Sequence, residues 1–247
     1  VFAMAFNTAG KRIRWDLDVI IKSYKFGLRF HPSSIAQYLN YRLDVFLVGW
    51  FLPPAQAGFY ALATLLAERI WEIPSALQRV MLYRVASESA RAPEITNQVI
   101  RSVLLLMMII CLLIAFVSPT LITIIYGTSY TPIVAAFIFL LPGIWSLSAG
   151  KILASYVAGT GQADIATLAV VGSLIVTIVF DIGLIPQFGI VGAAVASSLS
   201  YSTFTGLLLY FYLKRTGHSL REVLFIRSSD LYLLQKHLLE FARIIRK

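Results

Sequence analysis

Charged residues are scarce in this sequence. Only 13% of its 247 residues are Asp, Glu, Lys or Arg, whereas 58% are hydrophobic, and the mean hydropathy is +0.79. A soluble domain usually has about 25% charged and about 45–50% apolar residues. A soluble core of this size cannot hide so much apolar surface, so the composition excludes an ordinary soluble domain and predicts that lipid covers much of the chain.

Cysteine and catalytic motifs are also nearly absent. The one cysteine, Cys111, lies within the apolar run Leu104–Val117, so an internal disulfide or a cysteine metal cluster is excluded, and we interpret it as a packing residue. The sequence has no His-rich metal motif, no Gly-x-Ser-x-Gly and no phosphate-binding glycine loop beside a soluble domain. We therefore expect no cofactor, no bound metal and no enzyme activity.

Apolar runs long enough to cross a bilayer occur six times. A hydrocarbon core about 30 Å thick needs about 20 helical residues, and continuous apolar runs lack the alternation of β-barrel strands. The predicted spans are Phe26–Phe51, Gly58–Val80, Val99–Ile125, Pro132–Val157, Ile165–Ile185 and Ile190–Leu213. The predicted fold class is all-α, a polytopic membrane bundle of about six transmembrane helices.

Basic residues mark alternate ends of these spans. Lys and Arg precede the first span, lie between the second and third, and follow the sixth, whereas residues 52–57, 126–131 and 186–189 contain none. Cytoplasmic loops carry the excess of Lys and Arg in membrane proteins. The basic segments, including the C-terminus, are therefore predicted to face the cytoplasm, and the net charge of +9 does not indicate nucleic-acid binding.

The predicted bundle, residues 26–213, is flanked by two basic segments. Residues 1–25 are predicted to hold the end of a preceding helix and a cytoplasmic linker, so we expect the chain to be the C-terminal part of a longer protein. Residues 214–247 form a basic tail in which Ser229–Lys247 has apolar residues at helical spacing. This pattern is typical of an amphipathic helix on anionic membrane lipids, and a flexible tail is the alternative.

Several ionisable residues lie within the predicted spans, where a charge costs a few kcal/mol at least on insertion scales. They are Arg42, Asp44, Glu68, Arg69, Glu72, Lys151 and Asp181. Such side chains normally face a water-filled cavity or one another. The five on the first two spans either line a functional cavity or pair with one another for structural reasons alone, and both interpretations remain open. Lys151 is a candidate cavity residue or a side chain that reaches the inner surface, and Asp181 is expected near the outer interface.

The first two spans form a predicted hairpin whose turn centres near Pro54. Arg42 lies 12 residues before that turn and Glu68 lies 14 after it, which is a depth mismatch of only about 3 Å at about 1.5 Å per residue. Ion pairs of Arg42 with Glu68 and of Asp44 with Arg69 are therefore predicted as a possibility between antiparallel neighbours.

The order of several short motifs resembles the second half of oligosaccharide-lipid flippases, in the superfamily that also contains multidrug and toxin extruders. The motifs are Arg42-Leu43-Asp44, Val45–Gly49, Ala57–Ala63, Tyr126–Tyr130, Gly159–Gln162 and Leu184–Ala194. The resemblance runs over roughly residues 26–213. It implies two bundles of six helices around a central cavity, with this chain as the second bundle, its residues 1–9 as the end of the sixth helix, and the N-terminal six-helix half as its partner.

The function implied by the resemblance is alternating-access transfer of an undecaprenyl-diphosphate-linked oligosaccharide across the bacterial inner membrane. Arginine offers planar two-pronged contacts to phosphate. Candidates for binding the diphosphate are Arg42, Arg69 and Lys151, and candidates for the sugar are Gln37, Tyr38, Asn40 and Tyr41. Asp44, Glu68 and Glu72 would keep these bases charged or carry a coupling proton or sodium ion.

Other functions remain as alternatives. A multidrug antiporter of the same superfamily predicts a cavity dominated by carboxylates, whereas bases and acids are roughly balanced here. A flippase of the lipid-linked peptidoglycan precursor is a second alternative. A glycan polymerase or ligase would need a large outer loop, and a non-transporting scaffold would tolerate neutral replacements of Arg42 and Lys151.

Overall fold

The computed structural model describes residues 17–88 and 90–225, and this part of the chain is helical, without β-strands. Its helices are α1 (Leu17–Phe51), α2 (Pro54–Ser87), α3 (Ala92–Tyr126), α4 (Pro132–Gly159), α5 (Ala163–Thr216) and α6 (Leu220–Leu224). A 3₁₀ turn, Thr128–Tyr130, joins α3 to α4. The all-α prediction is confirmed. The predicted helix end at residues 1–9 and the amphipathic tail Ser229–Lys247 lie outside the described residues.

Helix α5 is two antiparallel helices joined at one glycine. A straight helix of its 54 residues would be about 80 Å long, more than twice the thickness of a bilayer core. Gly189, with φ 58° and ψ −139°, interrupts it, and Thr177 before the bend donates a 2.7 Å hydrogen bond to Ser200 after it. The arms 163–188 and 190–216 are therefore the predicted fifth and sixth spans. The sequence predicted a turn over residues 186–189, whereas in the structure only Gly189 has non-helical backbone angles within α5.

Three helices of the described chain are long and apolar enough to cross a membrane: Ala92–Tyr126, Pro132–Gly159 and Asp164–Thr216. The last of these contains both arms of α5. Helices α1 and α2 are 35 and 34 residues long and carry five of the seven ionisable residues that the sequence analysis singled out. Helices α3 and α4 and the hairpin α5 are thus the apolar part of the bundle, whereas α1 and α2, also predicted as spans, carry most of its charge.

Helix α4 lies at the centre of the bundle, where it packs against α2, α3 and α5, while α1 packs mainly on α5. Glycines allow α4 to approach the second arm of α5 closely, because a Cβ atom at Gly143 would lie 2.5 Å from Cα of Ser198. Small residues have this role at many membrane-helix contacts. Helices α2 and α3 both pack on α4 but contact each other little, which leaves a groove between them.

Candidate functional site

Arg42 and Glu68 form a two-pronged ion pair between α1 and α2. The Nη1–Oε1 distance is 3.1 Å, and Nη2 donates a 3.3 Å hydrogen bond to Oε2. The side chain of Arg42 is 43% exposed and that of Glu68 is 19% exposed, so the pair is open on the arginine side. The hairpin register predicted from the sequence is confirmed by this contact.

The ammonium of Lys151, on α4, is enclosed by aromatic rings. Its Nζ atom lies 5.2 Å from the ring centroid of Trp71 and 5.6 Å from that of Tyr41. The Tyr201 ring lies 5.9 Å from each of those two rings. Cations at such distances are attracted by the ring quadrupole. Lys151 is only 8% exposed, so its side chain is enclosed in the bundle. This burial disagrees with the sequence interpretation in which the side chain reaches the inner surface.

Between the ion pair and the rings around Lys151 is a cavity of only about 10 Å³, room for about one water molecule, which Tyr41, Glu68, Trp71 and Tyr201 line. We call this group of side chains the basic–aromatic cluster. Its members are Tyr41, Arg42, Glu68, Trp71, Lys151 and Tyr201. Three helices and the second arm of α5 contribute to it, so it forms only when the whole bundle is assembled.

Asp44 is buried beside the cluster and does not pair with Arg69. Its carboxylate accepts hydrogen bonds from the hydroxyls of Tyr60 at 2.7 Å and Ser197 at 2.8 Å, and from the backbone N–H of Val45 at 2.7 Å. The predicted Asp44–Arg69 ion pair is therefore wrong. Counting residues from the turn near Pro54 placed Asp44 and Arg69 at the same depth. Their side chains leave the two helices in different directions, however, and therefore contact different neighbours.

Asp181, in the first arm of α5, is fully buried inside the bundle. It is 0% exposed, and within the described residues neither carboxylate oxygen has a hydrogen-bond partner. Asp181 follows Thr177 by one helical turn, and Thr177 contacts Asn40, which lies one turn before Asp44. Two carboxylates thus share a buried region of the bundle. The expected depth of Asp181 near the outer interface stays a prediction.

Asn40 and Gln37 precede this region on α1. The Asn40 amide donates to Ser173 at 3.1 Å and its carbonyl accepts from Thr177 at 2.7 Å and Ser200 at 3.0 Å. Asn40 therefore connects α1 to both arms of α5. The Nε2 atom of Gln37 is buried one helical turn before Tyr41, with no hydrogen-bond partner among the described residues.

The remaining candidates lie at the surface of the described bundle. Arg69 is exposed and lines the groove between α2 and α3, away from the cluster. Tyr38 is 63% exposed on α1. Glu72 is exposed one turn after Glu68, and its charge acts on Lys151.

Sequence reasoning did not select Trp71, Tyr201, Tyr60 or Ser197. The helical period could have identified Trp71, because residues three apart lie on the same face of a helix and Trp71 follows Glu68 by three. Tyr60 stood within a motif that carried the family resemblance. Nothing in the linear sequence marked Tyr201 or Ser197, whose contacts depend on how α5 bends back.

The fold is that of one half of a transporter of the MOP superfamily. An outward-facing multidrug resistance MATE family transporter of that superfamily matches 83% of this chain with a TM-score of 0.68 at 20% identity, over 48% of its own length. The eukaryotic MATE transporter AtDTX14 matches 85% of the chain with a TM-score of 0.67 at 17% identity, again over 48% of its length. The described chain therefore shares its fold with about half of each of these transporters, and its long apolar helices make it a multi-pass membrane protein.

The sequence matches the model of a family described as polysaccharide biosynthesis protein over residues 1–135. The chain belongs to this polysaccharide biosynthesis protein family. A relative, the probable low-salt glycan biosynthesis flippase Agl15 of Haloferax volcanii, is 27% identical over 192 residues, which cover 72% of this chain and 39% of that protein. The chain thus spans less than half the length of the proteins it matches.

Proposed function

We propose that this chain forms one half of a flippase that moves a lipid-diphosphate-linked oligosaccharide across the membrane by alternating access. The N-terminal six-helix half would complete a cationic central cavity, and anionic membrane lipids would bind the basic tail. The proposed carrier is undecaprenyl diphosphate in the bacterial inner membrane, with the C-terminus in the cytoplasm. Family membership and the name of the Haloferax relative support the class of substrate.

The observation that carries the proposal is the environment of Lys151. Within the described chain its ammonium contacts aromatic rings and has no carboxylate at ion-pair distance. A cation buried at this depth without a paired anion attracts a phosphate group strongly, because the surroundings screen charge poorly. Arg42, open on one side, offers a second group for the same diphosphate.

The aromatic members of the cluster suit the sugar portion of such a substrate. The faces of Tyr41, Trp71 and Tyr201 meet at angles between 43° and 74° around the cavity. The space between the rings is only about 10 Å³, so in this proposal the sugar binds the ring faces after the rings move apart during the transport cycle. The cluster therefore combines groups for a diphosphate with groups for the adjoining sugar ring.

Asp44 and Asp181 supply a coupling site in this proposal. Two carboxylates that share a buried region repel each other unless a proton or a cation lies between them. The hydroxyls of Tyr60 and Ser197 already contact Asp44 and are oxygen ligands of the kind that hard cations take. Binding of a proton or a sodium ion here would link the ion gradient to the packing of α1 against α5.

The proposal is tested with the full-length parent in vesicles that contain a fluorescent undecaprenyl-diphosphate oligosaccharide. Lys151→Gln is expected to slow transfer between leaflets at least about tenfold, since a charge-assisted contact contributes about 1.5–3 kcal/mol. Lys214→Gln, which changes an exposed lysine at the end of α5, is the matched control and is expected to retain transfer.

Equal transfer by Lys151→Gln and Lys214→Gln would contradict the role of the cluster. If the parent moves none of this lipid and instead exports organic cations against an ion gradient, it is the multidrug antiporter, which the acidic pair and the fold also fit. Transfer of the peptidoglycan precursor in preference to the oligosaccharide would identify the second alternative.

The coupling site has its own test. Asp181→Asn is expected to remove the dependence of transfer on a proton or sodium gradient, whereas Asp164→Asn, an exposed carboxylate in the first turn of α5, is expected to leave it intact. Gradient dependence that survives Asp181→Asn unchanged would exclude this carboxylate from coupling.

A further inference from the structure

A separate pocket opens beside the turn that joins α2 to α3. It has a volume of about 420 Å³, within the range of ligand pockets. Arg84 and Glu88 at the end of α2 and Arg91 at the start of α3 line one part of it. We call it the turn pocket. Its lining residues are different from the members of the basic–aromatic cluster, so the proposed function leaves this pocket without a role.

The turn pocket changes from charged to apolar along its length. The charged side chains lie next to the turn, Gln98 and Ser102 follow along α3, and Leu77 of α2 and Leu106 of α3 form the far end. The distance from Arg91 to Leu106 along α3 is about 22 Å at about 1.5 Å per residue. That length is about one leaflet of a bilayer, which is about 40–45 Å thick with its headgroups.

The turn itself lies at a surface of the bilayer. Helix α2 ends at Ser87 and α3 begins at Ala92, and non-helical backbone is not tolerated in contact with lipid hydrocarbon. Four ionisable residues also lie between positions 84 and 94. The apolar run of α3 begins at Val99, about 12 Å along the helix from Arg91. The charged end of the pocket is therefore at headgroup level, and its apolar end is in the hydrocarbon.

The charged end of the pocket has an excess of positive charge. Arg84 and Glu88 form only a loose pair, with 3.8 Å between Nε and Oε1 and side chains that are 54% and 40% exposed. Within residues 17–88 and 90–225, no side chain forms an ion pair or a hydrogen bond with the guanidinium of Arg91. Glu94, the other acidic residue near the turn, does not line the pocket. Two guanidinium groups against one carboxylate suit a ligand with one negative charge, such as a phosphodiester.

Charge and shape together select the occupant. The tail of this chain does not suit the pocket, because residues 229–247 contain four Lys and Arg against two Asp and Glu and would be repelled by its positive end. A soluble phosphate would leave the apolar end uncovered. A phospholipid has its phosphate at headgroup level and its acyl chains in the hydrocarbon, so it matches both ends of the pocket at the depth where they lie.

We propose that the turn pocket binds a resident anionic phospholipid, with its phosphate on Arg84 and Arg91 and one acyl chain between Leu77 and Leu106. The lipid fills the space between α2 and α3, which contact each other little, and so joins the two helices at this end of the bundle. The inference goes beyond the proposed function, because this lipid remains bound and is not transported.

The test uses the full-length parent in detergent and a phosphatidylglycerol that carries a diazirine on one acyl chain. After irradiation, mass spectrometry is expected to find the label on peptides that contain residues 95–106. The double variant Arg84→Gln with Arg91→Gln is expected to lower this labelling at least about tenfold through loss of the charge-assisted contacts. Ser102→Trp, which places a large ring inside the pocket, is expected to abolish it.

Matched controls separate the pocket from general effects. The double variant Lys214→Gln with Arg221→Gln removes two exposed basic residues outside the pocket, and Ile109→Trp adds the same ring at an exposed position of α3 outside it. Both are expected to label like the parent. Because Arg84 and Arg91 are exposed, their substitution leaves buried packing intact and carries the test even if Ser102→Trp does not fold.

Competition identifies the occupant. Unlabelled phosphatidylglycerol is expected to compete, whereas phosphatidylethanolamine is expected to compete at least about tenfold less well because it has no net charge. Equal competition by phosphatidylethanolamine would make the pocket a general lipid contact and overturn the proposal. Competition by glycerol 3-phosphate would assign the pocket to a soluble anion, and stronger competition by farnesyl diphosphate would assign it to the transported substrate.

Two further results would also overturn the proposal. Labelling that is unchanged in the Arg84→Gln, Arg91→Gln variant would show that the two arginines do not hold the lipid. Labelling that rises after removal of residues 229–247 would make the tail the occupant. Leaflet transfer measured with the same variants keeps the two proposals apart, because loss of labelling alone leaves the role of Lys151 in transfer intact.

Discussion

The hydroxyl of Tyr60 donates a 2.7 Å hydrogen bond to the Oδ2 atom of Asp44 across the interface of α1 and α2. Tyr60 is 0% exposed and Asp44 is 1% exposed. The same carboxylate oxygen accepts a 2.8 Å hydrogen bond from Ser197 in the second arm of α5. One acidic side chain therefore connects three helical segments beside the proposed coupling site.

Removal of the Tyr60 hydroxyl is expected to destabilise the bundle. Tyr60→Phe should lower the free energy of unfolding by about 1.5–3 kcal/mol, the usual range for a hydrogen bond to a charged group. Thermal unfolding in detergent measures this effect, with Tyr83→Phe as the control because Tyr83 is 77% exposed. Similar melting temperatures for the two variants would contradict the role of the buried hydroxyl.

The ion pair of Arg42 and Glu68 is expected to show a measurable coupling energy. A partly exposed pair contributes modestly, so the interaction term of a double-mutant cycle with Arg42→Gln and Glu68→Gln should be about 0.5–1 kcal/mol. The exchanged pair Arg42→Glu with Glu68→Arg should recover most of the stability lost by either single reversal. Strict additivity of the single variants would show that the contact contributes nothing.

The bend of α5 is expected to require glycine at position 189. Gly189 has a φ of 58°, and a side chain there costs roughly 1–3 kcal/mol. Gly189→Ala should therefore lower the yield of folded protein and its melting temperature. Gly183→Ala is the control, since this helical position has open space for a Cβ atom, and its replacement should be neutral or slightly stabilising.

Acid is expected to weaken the first turn of α6. Ser219 and Glu222 form a reciprocal cap, in which the Ser219 N–H donates to the Glu222 carboxylate at 2.9 Å. This backbone hydrogen bond, together with one to His218, holds the pKa of Glu222 below its ordinary value. A carboxyl group with a lowered pKa stabilises the fold above its unfolded pKa, and the contribution disappears as the pH falls through the folded value.

Hydrogen exchange measures that prediction. After correction for intrinsic rates, residues 220–224 should lose protection as the pH falls below about 4.3, the ordinary pKa of a glutamate. Glu222→Gln should remove the pH dependence because it cannot titrate. A pH dependence of equal size in this variant would assign the effect to another group.

Distances along the helices could be predicted from the sequence, but the direction of each side chain could not. Counting residues from the turn near Pro54 placed Arg42 and Glu68 at one depth, and they form an ion pair. The same count paired Asp44 with Arg69, which is wrong, because Asp44 contacts Tyr60 and Ser197 while Arg69 faces a groove. Depth follows from the helical rise, whereas the facing direction depends on how each helix is rotated.

The sequence by itself determined the all-helical membrane fold and the family resemblance, because the length and hydropathy of each run follow directly from its residues. Only the tertiary structure decided which charges meet. Lys151, Trp71 and Tyr201 lie far apart in the chain and come together through the packing of α4 against α2 and α5. Ser197 contacts Asp44 because α5 bends back at Gly189 and packs on α1, and hydropathy carries no information about such packing.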